Sequence, residues 1–131
     1  MLFCVNGTLM RGLALNRNMI EAGARFVLET RTAPLYRLWS IGDRYPGMIR
    51  SLEGGRDIAV EVWDLRDAAG LVRILVGEPP GLAVGKVRLC DGNEVLGVLA
   101  EPYLVESQVE ITGFGGWRAY VASLSPKGTG V

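Results

Sequence analysis

Residues 2–5 form a short apolar run that stops at Asn6-Gly7, the pattern of a buried strand entering a turn. After Arg11-Gly12 the spacing becomes helical. Leu15, Met19 and Ile20, with Ala22, make one apolar stripe, and Gly23 stands where a C-terminal cap belongs. Residues 26–29 and 35–41 read as strands, and Tyr45-Pro46-Gly47 as a turn or strand-edge feature leading into residues 48–51. Beyond the tight Glu53-Gly54-Gly55 connection, Ile58, Val60 and Val62 alternate with Ala59, Glu61 and Trp63. That alternation predicts a strand with two differently used faces.

Residues 64–67 are expected to open a helix with Leu71, Ile74 and Leu75 as its stripe and Gly70 weakening it. Gly77-Glu78-Pro79-Pro80-Gly81 ends it in a constrained loop. Strands at 84–89 and 95–100 flank Asp91-Gly92, the strongest hairpin signal in the chain. Trp117, Tyr120, Val121 and Leu124 recur at helical spacing after Gly113-Phe114-Gly115-Gly116. From Ser125 the sequence is polar and Gly-rich, so a domain over 1–124 and a flexible tail over 125–131 are expected. Six to seven strands with two or three short helices predict an α+β domain, a small closed or partly closed mixed barrel.

The 131 residues fit one domain, and 49% apolar against 21% charged residues exclude disorder. Lys plus Arg equals Asp plus Glu at 14 each, which argues against nucleic acid or an anionic membrane as partner. No apolar run approaches the roughly 20 residues of a membrane span. The start MLFCVNGTLMRG lacks the features of a secretory signal, so a cytoplasmic location is expected.

Histidine is absent. A Ser-His-Asp triad, a Cys-His pair and a His-ligated zinc or iron site are therefore excluded within one chain. Cys4 and Cys90 alone build no zinc site, and each is expected to be a buried free thiol. No metal and no cofactor are expected. Chemistry is left to carboxylates, backbone N–H groups, hydroxyls, arginines or a thiol.

The segment from Asn6 through Gly7, Thr8 and Leu9 to Gly12 joins a strand to a helix through a turn. Glycine there lets successive N–H groups converge on an anion, and an ordinary Asn-Gly turn is the competing reading. Val5-Asn6-Gly7-Thr8-Leu9-Met10-Arg11-Gly12 resembles the Tyr-Gly-Ser/Thr-Leu-x-x-Gly loop of the gamma-glutamylcyclotransferase-like (AIG2-like) fold. Tyr45-Pro46-Gly47 and Val60-Glu61-Val62-Trp63 match further motifs of that fold. Leu15-Asn16, Gly23-Ala24-Arg25-Phe26, Thr32 to Leu38 and Ile111 to Tyr120 look more closely like the C-terminal domain of allophanate hydrolase. The Gly-Trp-Arg-Ala-Tyr block is the most specific part.

The resemblance implies a mixed barrel whose loop 6–9 binds a small carboxylate or carbamate through its backbone. In cyclotransferases a glutamate deprotonates the substrate amine. Glu78 lies near the corresponding segment, although its neighbours and spacing differ, and it is the candidate catalytic base. In allophanate hydrolase the domain has been assigned decarboxylation of N-carboxycarbamate or a role in assembly. In the larger enzymes it follows an amidase domain, whereas this chain is expected to stand alone and to carry none. Three readings result: a small-anion site, a non-catalytic partner of a separately encoded amidase, or a cyclotransferase acting on gamma-glutamyl amines.

Other residues join the candidate binding set. Arg44 and Tyr45 have the chemistry to clamp a carboxylate. Glu61 lies outside if Val60 and Val62 pack the core, and lines the cavity if the interior is polar. Gly115-Gly116 either donates N–H groups to an anion or lets a helix pack closely.

Overall fold

The protein is described by a computed structural model over residues 1–124; the expected tail at 125–131 lies outside the described residues. Strand β1 (Leu2–Val5) sits at the centre of a five-stranded sheet. Phe3, Cys4 and Val5 are all fully buried, as a strand covered on both faces must be. It runs antiparallel to β5 (Ala59–Asp64), pairing Cys4 with Val62, and parallel to β7 (Glu94–Ala100), pairing Phe3 with Leu96. Strand β2 (Arg25–Arg31) borders β5 at one edge, and β6 (Leu82–Arg88) borders β7 at the other. The expected hairpin at Asp91-Gly92 joins β6 to β7.

A second sheet has the order β4-β3-β8, from β4 (Tyr45–Arg50), β3 (Tyr36–Ile41) and β8 (Val109–Glu110). Gly42 and Asp43 both have φ of 59°, a left-handed pair at the centre of the turn in which the Arg44 N–H donates to the Ile41 carbonyl. Tyr45, Pro46 and Gly47 therefore belong to β4 itself. Pro46 is tolerated there because β4 is an edge strand.

The α+β class expected from the sequence is the class observed. The strands number eight among the described residues, and they form two sheets, not a closed barrel. The short β8, two residues long, leaves the smaller sheet without a partner on that side.

Four short helices cover the sheets: α1 (Asn16–Glu21), α2 (Ala68–Val76), α3 (Pro102–Val105) and α4 (Trp117–Leu124). Asp67 caps α2 by accepting from the Gly70 N–H at 3.0 Å. Gly70 is not a weak point, because a Cβ there would lie 2.8 Å from the Ala22 carbonyl and prevent α2 from meeting the end of α1. Several apolar expectations fail, and Leu75 and Leu124 of the expected helical stripes are among the exposed side chains. Ile20 is 58% exposed while Met19 alone of α1 is buried, since a six-residue helix has one covered side. Cys90 is also exposed, because it lies in the hairpin connection beyond the sheet.

No helix among the described residues is long and apolar enough to cross a membrane.

Candidate functional site

Beyond β1 the chain turns through residues 6–12. Asn6 is buried, and its side-chain amide donates to the Val98 carbonyl at 3.0 Å, tying the loop to β7. Its role is to hold the loop in place. Gly7 does not take positive φ. A Cβ on it would lie 2.5 Å from Pro46 Cδ, so glycine is needed for the close approach of β4. Met10 N–H donates to the Gly7 carbonyl and Leu15 N–H to that of Thr8, which winds the loop back on itself. The N–H groups of Gly7, Thr8 and Leu9 have no acceptor among the described residues.

Asn6, Gly7, Thr8, Leu9, Tyr45 and Glu78 line one small cavity, with Val5, Pro46, Leu82 and Val98 as its apolar walls. Its volume is about 10 Å³, room for about one water molecule. Burial pushes the Glu78 carboxyl up to about 7. Six of the eight residues expected to form the site are thus brought together. Arg44 is exposed on the β3–β4 turn and does not line the cavity.

Glu61 belongs elsewhere. It points away from Val60 and Val62, yet it is 1% exposed because β5 is covered on both faces. Oε1 accepts from the Arg11 N–H at 3.0 Å and the Trp63 indole at 3.1 Å. Oε2 accepts from Arg11 Nε at 3.2 Å and Arg118 Nη2 at 3.1 Å. Burial alone would raise its carboxyl, but the Arg11 N–H, the indole and the two guanidiniums outweigh it and hold the group below the usual range. Arg118 Nη2 also donates to the Arg11 carbonyl at 2.6 Å, so Glu61 and Arg118 clamp both sides of the Arg11 residue at the end of the loop.

Glu61, Arg118 and Met10 open on a separate cleft of about 430 Å³ between β2, β5 and the start of α4. Gly115 and Gly116 line it as well. A Cβ on Gly116 would lie 2.9 Å from Ala59 Cβ, so close packing accounts for that glycine. Sequence reasoning missed Arg11 and Arg118 as the partners of Glu61. The signal was present, since Arg11 ends the glycine loop and Arg118 lies within the specific Gly-Trp-Arg block.

Cys4 is inert where it lies. Burial pushes its thiol up to about 12, which removes the thiolate a nucleophile needs. The described residues contain no group of three or more metal-ligating side chains.

Residues 1–122 match the family described as allophanate hydrolase C-terminal domain. The urea amidolyase of Saccharomyces cerevisiae is 29% identical over an alignment that covers 94% of this chain and 7% of that protein. A uropathogenic E. coli-specific protein has a structure that matches at TM-score 0.90 and 59% identity, covering 92% of this chain and 94% of its own. The Kluyveromyces lactis allophanate hydrolase matches at TM-score 0.88 and 25% identity, over 95% of this chain and 21% of its own. An AIG2-like protein of Mus musculus, 18% identical with a TM-score of 0.56 over 79% of this chain and 81% of its own, shares the fold.

Proposed function

The chain belongs to the allophanate hydrolase C-terminal domain family, and from that premise we propose that it binds a small carboxylate or carbamate at the Gly7–Leu9 backbone. Glu78 is the group that gives or takes a proton there. One observation carries this reading: Glu78 lines one cavity with Gly7, Thr8 and Leu9, three successive residues whose N–H groups have no acceptor among the described residues. Such N–H groups supply the positive ends of dipoles to an oxyanion. A carboxyl near 7 is divided between its acid and base forms at neutral pH. As an acid it donates to a ligand carboxylate, and as a base it accepts from a ligand amine. Tyr45 lines the same cavity.

For a carbamate whose nitrogen carries a second carboxylate, conversion means breaking one C–N bond. The electron pair stays on nitrogen, carbon dioxide leaves, and the nitrogen takes a proton. The acid form of Glu78 would supply it. No histidine is available for this step. The cavity holds about a water molecule, so ligand entry requires it to widen.

Oxamate, a small carboxylate with an adjacent amide, is a direct probe. Titration followed by nitrogen–proton correlation spectra should move the Gly7, Thr8 and Leu9 amides together in a saturable way. Glu78→Gln should keep binding but remove its pH dependence around neutrality. Shifts that spare the loop would remove it from the site.

A second reading rests on the coverage of the relatives. The matched region makes up 21% of the Kluyveromyces allophanate hydrolase and 7% of the yeast urea amidolyase. A domain carried within larger chains there would here dock onto a separately encoded amidase. Co-elution with a purified amidase module, with or without oxamate binding, separates the two readings.

A further inference from the structure

The 430 Å³ cleft takes no part in the proposed function, since neither Gly7–Leu9 nor Glu78 lines it. Its volume lies in the range of small-molecule sites. Its lining is bipolar. Glu29 and Arg31 are two residues apart on β2 and so project from one face of that strand, while Arg118 arrives from α4. Met10, Phe114 and Trp117 supply apolar surface to the same cleft.

Each charged group keeps unused capacity. Glu29 accepts from Arg11 through Oε1, leaving Oε2 without a partner among the described residues. Arg118 commits Nη2 to the Arg11 carbonyl and Glu61, leaving Nε and Nη1. Arg31 commits Nε and Nη2 to Asp57 and the Gly115 carbonyl, leaving Nη1. Glu29 and Arg31 are 65% and 44% exposed, so their existing pairs are screened by water and yield readily to a ligand, whereas Arg118 keeps Nη2 on the buried Glu61 and offers Nε and Nη1. Glu61 is different. Both of its oxygens are held by donors and it is buried, so it has no capacity left for a ligand cation.

We infer that this cleft binds a small zwitterion of amino-acid size. Its carboxylate lies against Arg31 and Arg118, its ammonium group against Glu29 Oε2, and its apolar body against Phe114 and Trp117. Guanidinium groups match a carboxylate in both geometry and charge. Phe114 is 46% exposed in the free protein, and an apolar ligand body would cover that ring.

The test uses the intact chain with L-leucine and L-phenylalanine as probes, and L-leucinamide and N-acetyl-L-leucine as blocked controls. Calorimetry should show saturable binding of a free amino acid, with amide shifts at Gly115 and Gly116 and at the Trp117 indole. Each blocked form should bind at least about tenfold more weakly, the scale of one charge-assisted hydrogen bond. Arg31→Gln should narrow the gap between leucine and leucinamide. Glu29→Gln should close the gap between leucine and its N-acetyl form. Both positions are exposed, so both variants should keep the wild-type circular dichroism. Absence of saturation by either amino acid at millimolar concentration would overturn the assignment. So would equal binding of the blocked forms, or shifts confined to Gly7–Leu9.

Discussion

Replacing Glu78 by Gln removes one titration and leaves the shape of the side chain nearly unchanged. In the folded chain burial moves the Glu78 carboxyl from 4.5 to about 7. A folded value above the unfolded one means that the native state holds the proton more tightly. Its stabilising contribution is therefore complete below the ordinary carboxyl range and is lost as pH rises through about 7. At about 1.4 kcal/mol per pH unit, the full loss would be about 3 kcal/mol. Glu78 is half-buried, and solvent screening reduces the expected loss to about 1–2 kcal/mol. Urea unfolding at about pH 5 and about pH 8.5 spans most of this window. Little else interferes, because the chain has no histidine. Asp43, Asp57, Asp64, Glu61 and Glu110 are all held below their ordinary values, so their contributions are lost only in more acid solution. The wild type should lose stability between the two conditions, and the Glu78→Gln protein should lose much less. Equal slopes in the two proteins would refute a buried carboxyl at the Gly7–Leu9 cavity.

Gly7→Val should cost about 1–3 kcal/mol through overpacking against Pro46 and should abolish oxamate shifts, whereas wild-type affinity in that variant would exclude the loop. Trp117→Ala, at a position 4% exposed, should lower stability in urea by about 3–5 kcal/mol; an unchanged midpoint would mean that the ring is not part of the core. Glu61→Gln should cost about 2–3 kcal/mol, less than a fully buried ion pair because both arginines reach solvent. A neutral result in thermal unfolding would deny the Arg11–Glu61–Arg118 clamp its structural weight. Gamma-glutamyl amines should release no pyroglutamate, because the neighbours and spacing of Glu78 differ from those of the cyclotransferase segment; release that disappears in Glu78→Gln would identify a cyclotransferase.

Local chemistry was readable wherever one segment decides it. The apolar run at residues 2–5, the Asp91-Gly92 turn and the Trp117–Tyr120 spacing all became the elements they suggested. What a sequence pattern lacks is the identity of the covering surface. Alternation around Glu61 separates two faces but does not say that both are covered, and the fate of that carboxylate depends on Arg11 and Arg118, residues remote from it in the chain. Gly7 and Gly70 are glycines because Pro46 and Ala22 approach them, contacts that exist only after the sheets and helices have packed. Glu78 was placed near the loop by family resemblance, and its cavity comes from the turn after α2 meeting the loop after β1. Arg44 had the right chemistry in the wrong direction, since a hairpin turn carries it outward into solvent.

The central position of β1 has a consequence for how the chain acquires its structure. Both neighbours of β1 come much later in sequence, and its parallel partner β7 begins at Glu94. Such pairing gives the domain a high contact order, for which refolding in the millisecond-to-second range is expected. During that interval the Phe3-Cys4-Val5 segment lacks the strands that bury it, and an unpaired apolar strand is a site for association between chains. Cys4 can report on the delay. A brief alkylating pulse during refolding should label its thiol until β7 docks, and protection should appear together with the final sheet.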